Sequence, residues 1–149
     1  MIVEAQTTIN GSREAVWAAI TNIEQLAETI SGIERIEILE RPASGLVGLG
    51  WRETRMLRGR AATVEKRITE AADNQFYKTI AASDGFEFLT TRRISGSSGA
   101  MILSETHEFN PRGGVARVLS VLMGIVFKGV IRKAIIQDLY DIKVAVEQP

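Results

Sequence analysis

Residues 101–147 read MILSETHEFNPRGGVARVLSVLMGIVFKGVIRKAIIQDLYDIKVAVE, and the change of period inside this stretch decides the fold. Up to Phe109, polar and apolar residues alternate. Met101, Leu103, Glu105, His107 and Phe109 share one face of a strand, and Ala100, Ile102, Ser104, Thr106 and Glu108 share the other. Asn110-Pro111-Arg112-Gly113-Gly114 then stops the strand. From Val115 to Glu147 no proline appears, and Leu119, Leu122, Val126, Ile135, Leu139, Ile142 and Val146 keep helical spacing. One long terminal helix is predicted. Between Val118 and Ile136 it is apolar nearly all round, with Met123 and Phe127 off the main stripe, so it needs burial on more than one side.

Upstream, Trp51 to Phe109 reads as four or five strands, with turn signals at Arg58-Gly59-Arg60, Ala72-Asp73-Asn74, Ser83-Asp84-Gly85 and Ser95-Gly96-Ser97-Ser98-Gly99. Turns this closely spaced imply hairpins, hence an antiparallel meander. Residues 2–9 suit a first strand ending at Asn10-Gly11-Ser12. A helix follows, capped by Ser12, with Glu14 in its first turn and Val16, Ile20, Ile23, Ala27 and Ile30 on one face. It is expected to split in two near Thr21-Asn22 and to end at Gly32. Ile36 and Ile38 then alternate with Arg35, Glu37 and Glu40, as in a half-buried strand. The expected class is α+β: six to seven antiparallel strands around a long C-terminal helix, with two short helices after the first strand.

The 149 residues suit one domain over 1–149, and no repeat, low-complexity tract or linker interrupts them. Eighteen Lys+Arg balance eighteen Asp+Glu, which argues against a nucleic acid as partner. There is no cysteine, which removes thiolate chemistry and disulfides and suits a reducing, cytoplasmic compartment. The first residues do not read as a signal peptide. Val118 to Ile136 is interrupted by Ser120, Lys128, Arg132 and Lys133, so no membrane span is expected. With a single His, a metal site is not expected, and neither is a cofactor.

The order of elements resembles the START-like, Bet v 1-like (SRPBCC) superfamily, and within it the bacterial polyketide cyclase/dehydrase and lipid-transport group. Ile9-Asn10-Gly11-Ser12-Arg13-Glu14-Ala15-Val16-Trp17 is similar to the passage from first strand to helix in that family. Gly32-Ile33 running into Ile36-Glu37-Ile38 resembles its second strand, and Gly48 with Gly50-Trp51-Arg52 its glycine-led third. Asn22 stands where the family often has Asp. The resemblance implies a helix-grip fold, in which the sheet wraps the last helix around a cavity for lipids, polyketides or other apolar molecules. A binding cavity is implied more firmly than a reaction.

Strand parity supplies the candidate residues. If the face with the larger apolar groups turns inward, Leu103, Glu105 and His107 turn inward too, and Glu105 with His107 forms a candidate acid/base pair. The alternative is a solvated pair at the open end of the sheet. Trp51, Glu53, Arg55 and Leu57 share one face of an earlier strand, and Phe86, Phe88, Thr90, Arg92 and Ile94 share one face of another. Arg55 or Arg92 could pair with Glu53 or Glu105, or hold a ligand acid or enolate oxygen through its fork; an exposed charge ladder is the alternative. Tyr77 and Thr79 could add hydroxyls, with their parity open. On the terminal helix, Leu122, Met123, Val126 and Phe127 are candidate ligand contacts, with Gly124 and Gly129 removing bulk.

Three functions follow as expectations: a binder of a small apolar molecule, a cyclase/dehydrase-type enzyme using Glu105 and His107, or a module that self-associates, for instance as a homodimer, through the terminal helix. Val16, Ile20, Ile36, Ile38, Leu119, Leu122, Val126 and Leu139 are expected among the most buried residues. The loop from Pro42 to Gly50 carries three glycines beside Leu46, Val47 and Leu49. It is expected to lie over one end of the cavity as a movable cover, against the alternative of a connection docked on the core.

Overall fold

The computed structural model describes residues 1–57, 59–83, 86–97, 99–111 and 113–148, with the side chains at 57, 83 and 114–127 outside that description. The expectations placed on Leu57, Leu119, Leu122, Met123, Gly124, Val126 and Phe127 therefore lie outside the described side chains. In chain order the elements are β1 (Ile2–Asn10), α1 (Arg13–Thr21), a 3-10 turn (Ile23–Gln25), α2 (Leu26–Thr29), β2 (Ile33–Glu40), β3 (Gly50–Leu57), β4 (Arg60–Ala72), β5 (Phe76–Ser83), β6 (Phe86–Ser97), β7 (Ala100–Pro111) and α3 (Gly114–Glu147). The seven strands form one antiparallel sheet in the order β1-β7-β6-β5-β4-β3-β2. Strands β3 to β7 are the expected meander, β2 adds to it beside β3, and β7 closes against β1. The long helix α3 packs along β1 and β7 and touches α1 and α2. The class is α+β, as the element order predicts.

Local chemistry sets the boundaries. The Ser12 hydroxyl accepts from the Ala15 N–H at 3.0 Å, which caps α1, and Thr21 donates back to the Trp17 carbonyl at 2.7 Å where α1 gives way to the 3-10 turn. Arg13 ties α1 to the sheet by donating to the carbonyls of Asn74, Ile94 and Gly96 at 2.9, 3.1 and 3.0 Å. At Gly11 a Cβ would stand 2.9 Å from Val146, so the missing side chain lets α3 approach the end of β1. Val16, Ile20, Ile23, Leu26 and Ile30 are buried against Ile135, Leu139 and Ile142 of α3 and Val3, Ile9 and Leu103 of the sheet.

Two expectations are corrected. Ile36 and Ile38 are half-buried at the margin of the core. They belong to β2, an edge strand that pairs only with β3 and whose register shifts twice, so one flank has no strand to cover it. The loop before β3 is docked. Leu49 is buried, Leu46 packs on the core and only Val47 stands in water. Gly48 donates to the Ile68 carbonyl and Ile68 to the Leu49 carbonyl, both at 2.9 Å, while Arg41 pairs with Glu24. The loop lines a recess of about 240 Å³ with Ile23 and Ile38, apart from the charged cavity described next.

Candidate functional site

Inward-facing positions of five strands and one turn of α3 assemble a continuous polar network. Register places its members. Arg92 on β6 stands directly opposite Glu105 on β7 and Tyr77 on β5, so the three lie in one row across the sheet. Arg92 Nε donates to Glu105 Oε1 at 2.6 Å and its Nη1 to the Tyr77 hydroxyl at 3.1 Å; Tyr77 donates onward to the Ile20 carbonyl at 2.8 Å. The other Glu105 oxygen meets His107 Nε2 at 2.7 Å. An ionised carboxylate only accepts, so His107 Nε2 is the donor in this bond.

The second half is centred on Glu53. It accepts from Trp51 Nε1 at 3.2 Å, Arg55 Nε at 2.6 Å and Lys66 Nζ at 3.1 Å. Arg55 then reaches α3, where Nη1 and Nη2 donate to the two oxygens of Asp138 at 3.1 and 2.7 Å. This fork-on-fork pair joins helix to sheet. Arg92 Nη2, 3.9 Å from Asp138, links the two halves. Gly32 passes beside the pair: a Cβ there would lie 3.4 Å from Arg55 Nη1 and 3.7 Å from Asp138 Oδ1.

Burial makes these charges interdependent. Burial alone would raise the Glu53 carboxyl, but Lys66 and Arg55 outweigh it and hold it well below the usual carboxylate range. Glu105 is likewise held low, with Arg92 and the His107 hydrogen bond outweighing burial. Asp138 moves the other way. Burial, only partly offset by Arg55 and reinforced by the Glu105 charge, pushes it up. Burial also raises the Tyr77 hydroxyl, which stays a neutral donor.

The network borders two neighbouring recesses. A recess of about 450 Å³ between sheet and α3 is lined by Arg55, Glu105, His107 and Asp138 with Phe109, Val130, Ile131, Ala134 and Ile135. A recess of about 300 Å³ over the sheet is lined by Glu53, Arg55, Lys66, His107 and Phe109 with Val64, Thr79, Ala81, Phe88 and Thr90. Arg55, His107 and Phe109 line both, so we take the two as lobes of one bilobed cavity with these residues at its waist. Phe88 meets Phe109 edge-to-face at 5.0 Å and supplies an aromatic wall.

Of the residues singled out by parity, Glu53, Arg55, Phe88, Glu105 and His107 line a lobe. Trp51, Leu103 and Arg92, expected as ligand contacts, line neither and stand behind the wall. Trp51 orients Glu53 and Arg92 orients Glu105, because both side chains lie within hydrogen-bond reach of those carboxylates. The exposed-ladder reading of Arg55 and Arg92 and the solvated reading of Glu105 are set aside by the same burial. The sequence pattern alone does not single out Asp138 or Lys66. A trace of Asp138 was present in the sequence, since it interrupts the Ile135, Leu139, Ile142 stripe of α3.

The profile of the family described as polyketide cyclase / dehydrase and lipid transport matches residues 1–137. No curated protein sequence matches the chain. Among solved structures, a START superfamily protein from Mycobacterium smegmatis aligns with TM-score 0.82 at 16% identity over 99% of this chain and 97% of its own. The Zhui aromatase/cyclase from Streptomyces sp. R1128 aligns with TM-score 0.81 at 17% identity over 99% and 94%. TTHA0849 from Thermus thermophilus aligns with TM-score 0.81 at 14% identity over 99% and 97%. At these identities the structural likeness speaks for the fold. With the family profile spanning nearly the whole length, the chain belongs to the polyketide cyclase/dehydrase and lipid-transport family.

Proposed function

We propose that this protein binds a small apolar molecule in the bilobed cavity, with the body of the ligand against Phe88, Phe109, Val130 and Ile131 and a polar oxygen at the waist beside Arg55 and His107. The observation that carries the reading is the lining itself: lobes of about 450 and 300 Å³, mostly apolar, converging on a few fixed polar groups. No helix among the described residues is long and apolar enough to cross a membrane, and a chain without cysteine suits the cytoplasm, where we place it. Native mass spectrometry of the purified full chain is expected to show a co-purified apolar species lost on delipidation. A chain that carries nothing and takes up no apolar probe sinks the reading.

A second reading is favoured by one contact, the 2.7 Å bond between Glu105 and His107. Glu105 orients the imidazole through Nε2, the neutral ring would offer Nδ1 as base, and Arg55 at the waist has N–H groups for a developing enolate oxygen. Proton abstraction beside a ligand carbonyl, as in cyclisation or dehydration of a polyketide-like chain, is the chemistry such a pair performs. Turnover of a poly-β-ketone analogue that disappears in Glu105→Gln and His107→Ala while binding persists would establish it. Unchanged turnover in both variants would exclude that pair from catalysis.

A further inference from the structure

The same network narrows the ligand, and the step rests on the binding reading above. Three buried carboxylates, Glu53, Glu105 and Asp138, face three cations, Arg55, Lys66 and Arg92. Every carboxylate oxygen is engaged. Glu53 is held by Trp51, Arg55 and Lys66, Asp138 by Arg55, and Glu105 by Arg92 and His107. The three negative and three positive charges cancel, and among the described residues no buried side-chain nitrogen or oxygen lacks a partner.

Donors, unlike charge, are left over. A guanidinium has five N–H groups and Arg55 spends three, one on Glu53 and two on Asp138. An ammonium has three and Lys66 spends one, on Glu53. An ionic ligand placed here would give up its hydration without gaining a free counter-ion, which a low-dielectric site disfavours strongly. A neutral oxygen would meet ready donors. We propose that the group reaching Arg55, Lys66 and His107 is an uncharged oxygen, a ketone or hydroxyl on an apolar body, and not a carboxylate, phosphate or amine. Arg60, exposed at the mouth of the larger lobe, is the one lining cation that no carboxylate among the described residues holds, and it stands outside this network.

Three probes of one shape separate the cases: 2-acetylnaphthalene, 2-naphthoate and 2-naphthylmethylammonium, titrated calorimetrically into the full chain at pH 8. The ketone is expected to bind at least tenfold more tightly than either ion, in the wild type and in Arg60→Gln. Asp138→Asn leaves the network one positive charge in excess and is expected to raise naphthoate affinity at least tenfold relative to the ketone. Lys66→Met leaves it one negative charge in excess and should favour the ammonium by a similar factor, which keeps the test open if the Asp138 variant does not fold by near-UV circular dichroism. Naphthoate that matches the ketone only while Arg60 is present binds at the mouth and supports the inference for the buried end. Naphthoate that matches it in Arg60→Gln, or a charge preference that neither variant moves, overturns the inference alone. If none of the probes binds, the ligand-binding reading fails and this inference fails with it.

Discussion

Arg52 and Glu53 are neighbours on β3, yet they belong to different chemistries. Arg52 turns outward and bridges Glu37 at 3.1 Å and Glu65 at 2.9 Å with 42% of its side chain exposed, forming a cross-strand ladder in water. Glu53 turns inward with 3% of its side chain exposed and gathers Trp51, Arg55 and Lys66 around it. Both sets are ion pairs of similar length. What differs is the medium: water screens the outer ladder and competes for its hydrogen bonds, whereas the inner charges have only one another. The outer face of the sheet can lose a charge and rehydrate the partner. The inner face cannot, and that obligation holds the cavity wall in one arrangement.

The largest contrast is expected from Glu105→Ala, which takes its 2.6 Å carboxylate partner from Arg92, 7% exposed, and leaves it Asp138 at 3.9 Å. Removing one partner of a buried pair costs about 3–5 kcal/mol, to be read from urea unfolding. Arg52→Ala should leave the midpoint nearly unchanged and reduce only its sensitivity to salt. Equal losses on the two faces would mean the inner network is solvated. Leu139→Ala calibrates the scale, since a fully buried leucine on α3 should cost about 2–5 kcal/mol. The docked loop gives a smaller effect. Leu46→Ser with Leu49→Ser should cost on the order of 2 kcal/mol, because Leu49 is buried, whereas a free cover would melt as the wild type does.

Acid separates the faces in a different way. Glu53 and Glu105 are both held below the ordinary value of 4.5 in the folded protein, so their contribution is fully present above pH 4.5 and is lost as pH falls below it. Asp138 has the opposite sign. Its raised carboxyl binds a proton more readily folded than unfolded, so it opposes the loss as pH falls towards its unfolded value of 3.8. Unfolding followed from pH 7 to pH 3 should show stability falling below pH 4.5, less steeply in Glu105→Gln. A variant as steep as the wild type would remove Glu105 as a cause.

Much of the inner face was legible because strand parity is strict. With β7 alternating, Glu105 and His107 must share a face with Leu103, and the same rule puts Glu53 with Trp51 and Arg92 with Ile94. Parity does not reveal partners across strands. That Arg92 meets both Glu105 and Tyr77 depends on the registers of two hairpins, and Lys66 reaches Glu53 diagonally, since its own cross-strand partner is Trp51. Asp138 was hidden for a related reason. A lone acid in an apolar helical stripe reads as an interruption until the sheet presents Arg55 to it. Ile36 and Ile38 fall short of full burial because alternation tells which face a residue takes and not how well that face is covered.

The most direct test of the binding wall is an NMR titration of the full chain with 2-acetylnaphthalene, following backbone amides and side-chain resonances on both faces of the sheet. The largest shifts are expected at Phe88, His107, Phe109 and Ile131 around the waist, with Arg52 and Thr54 on the outer face unmoved. Shifts confined to the outer face, or none at the waist, would contradict the account.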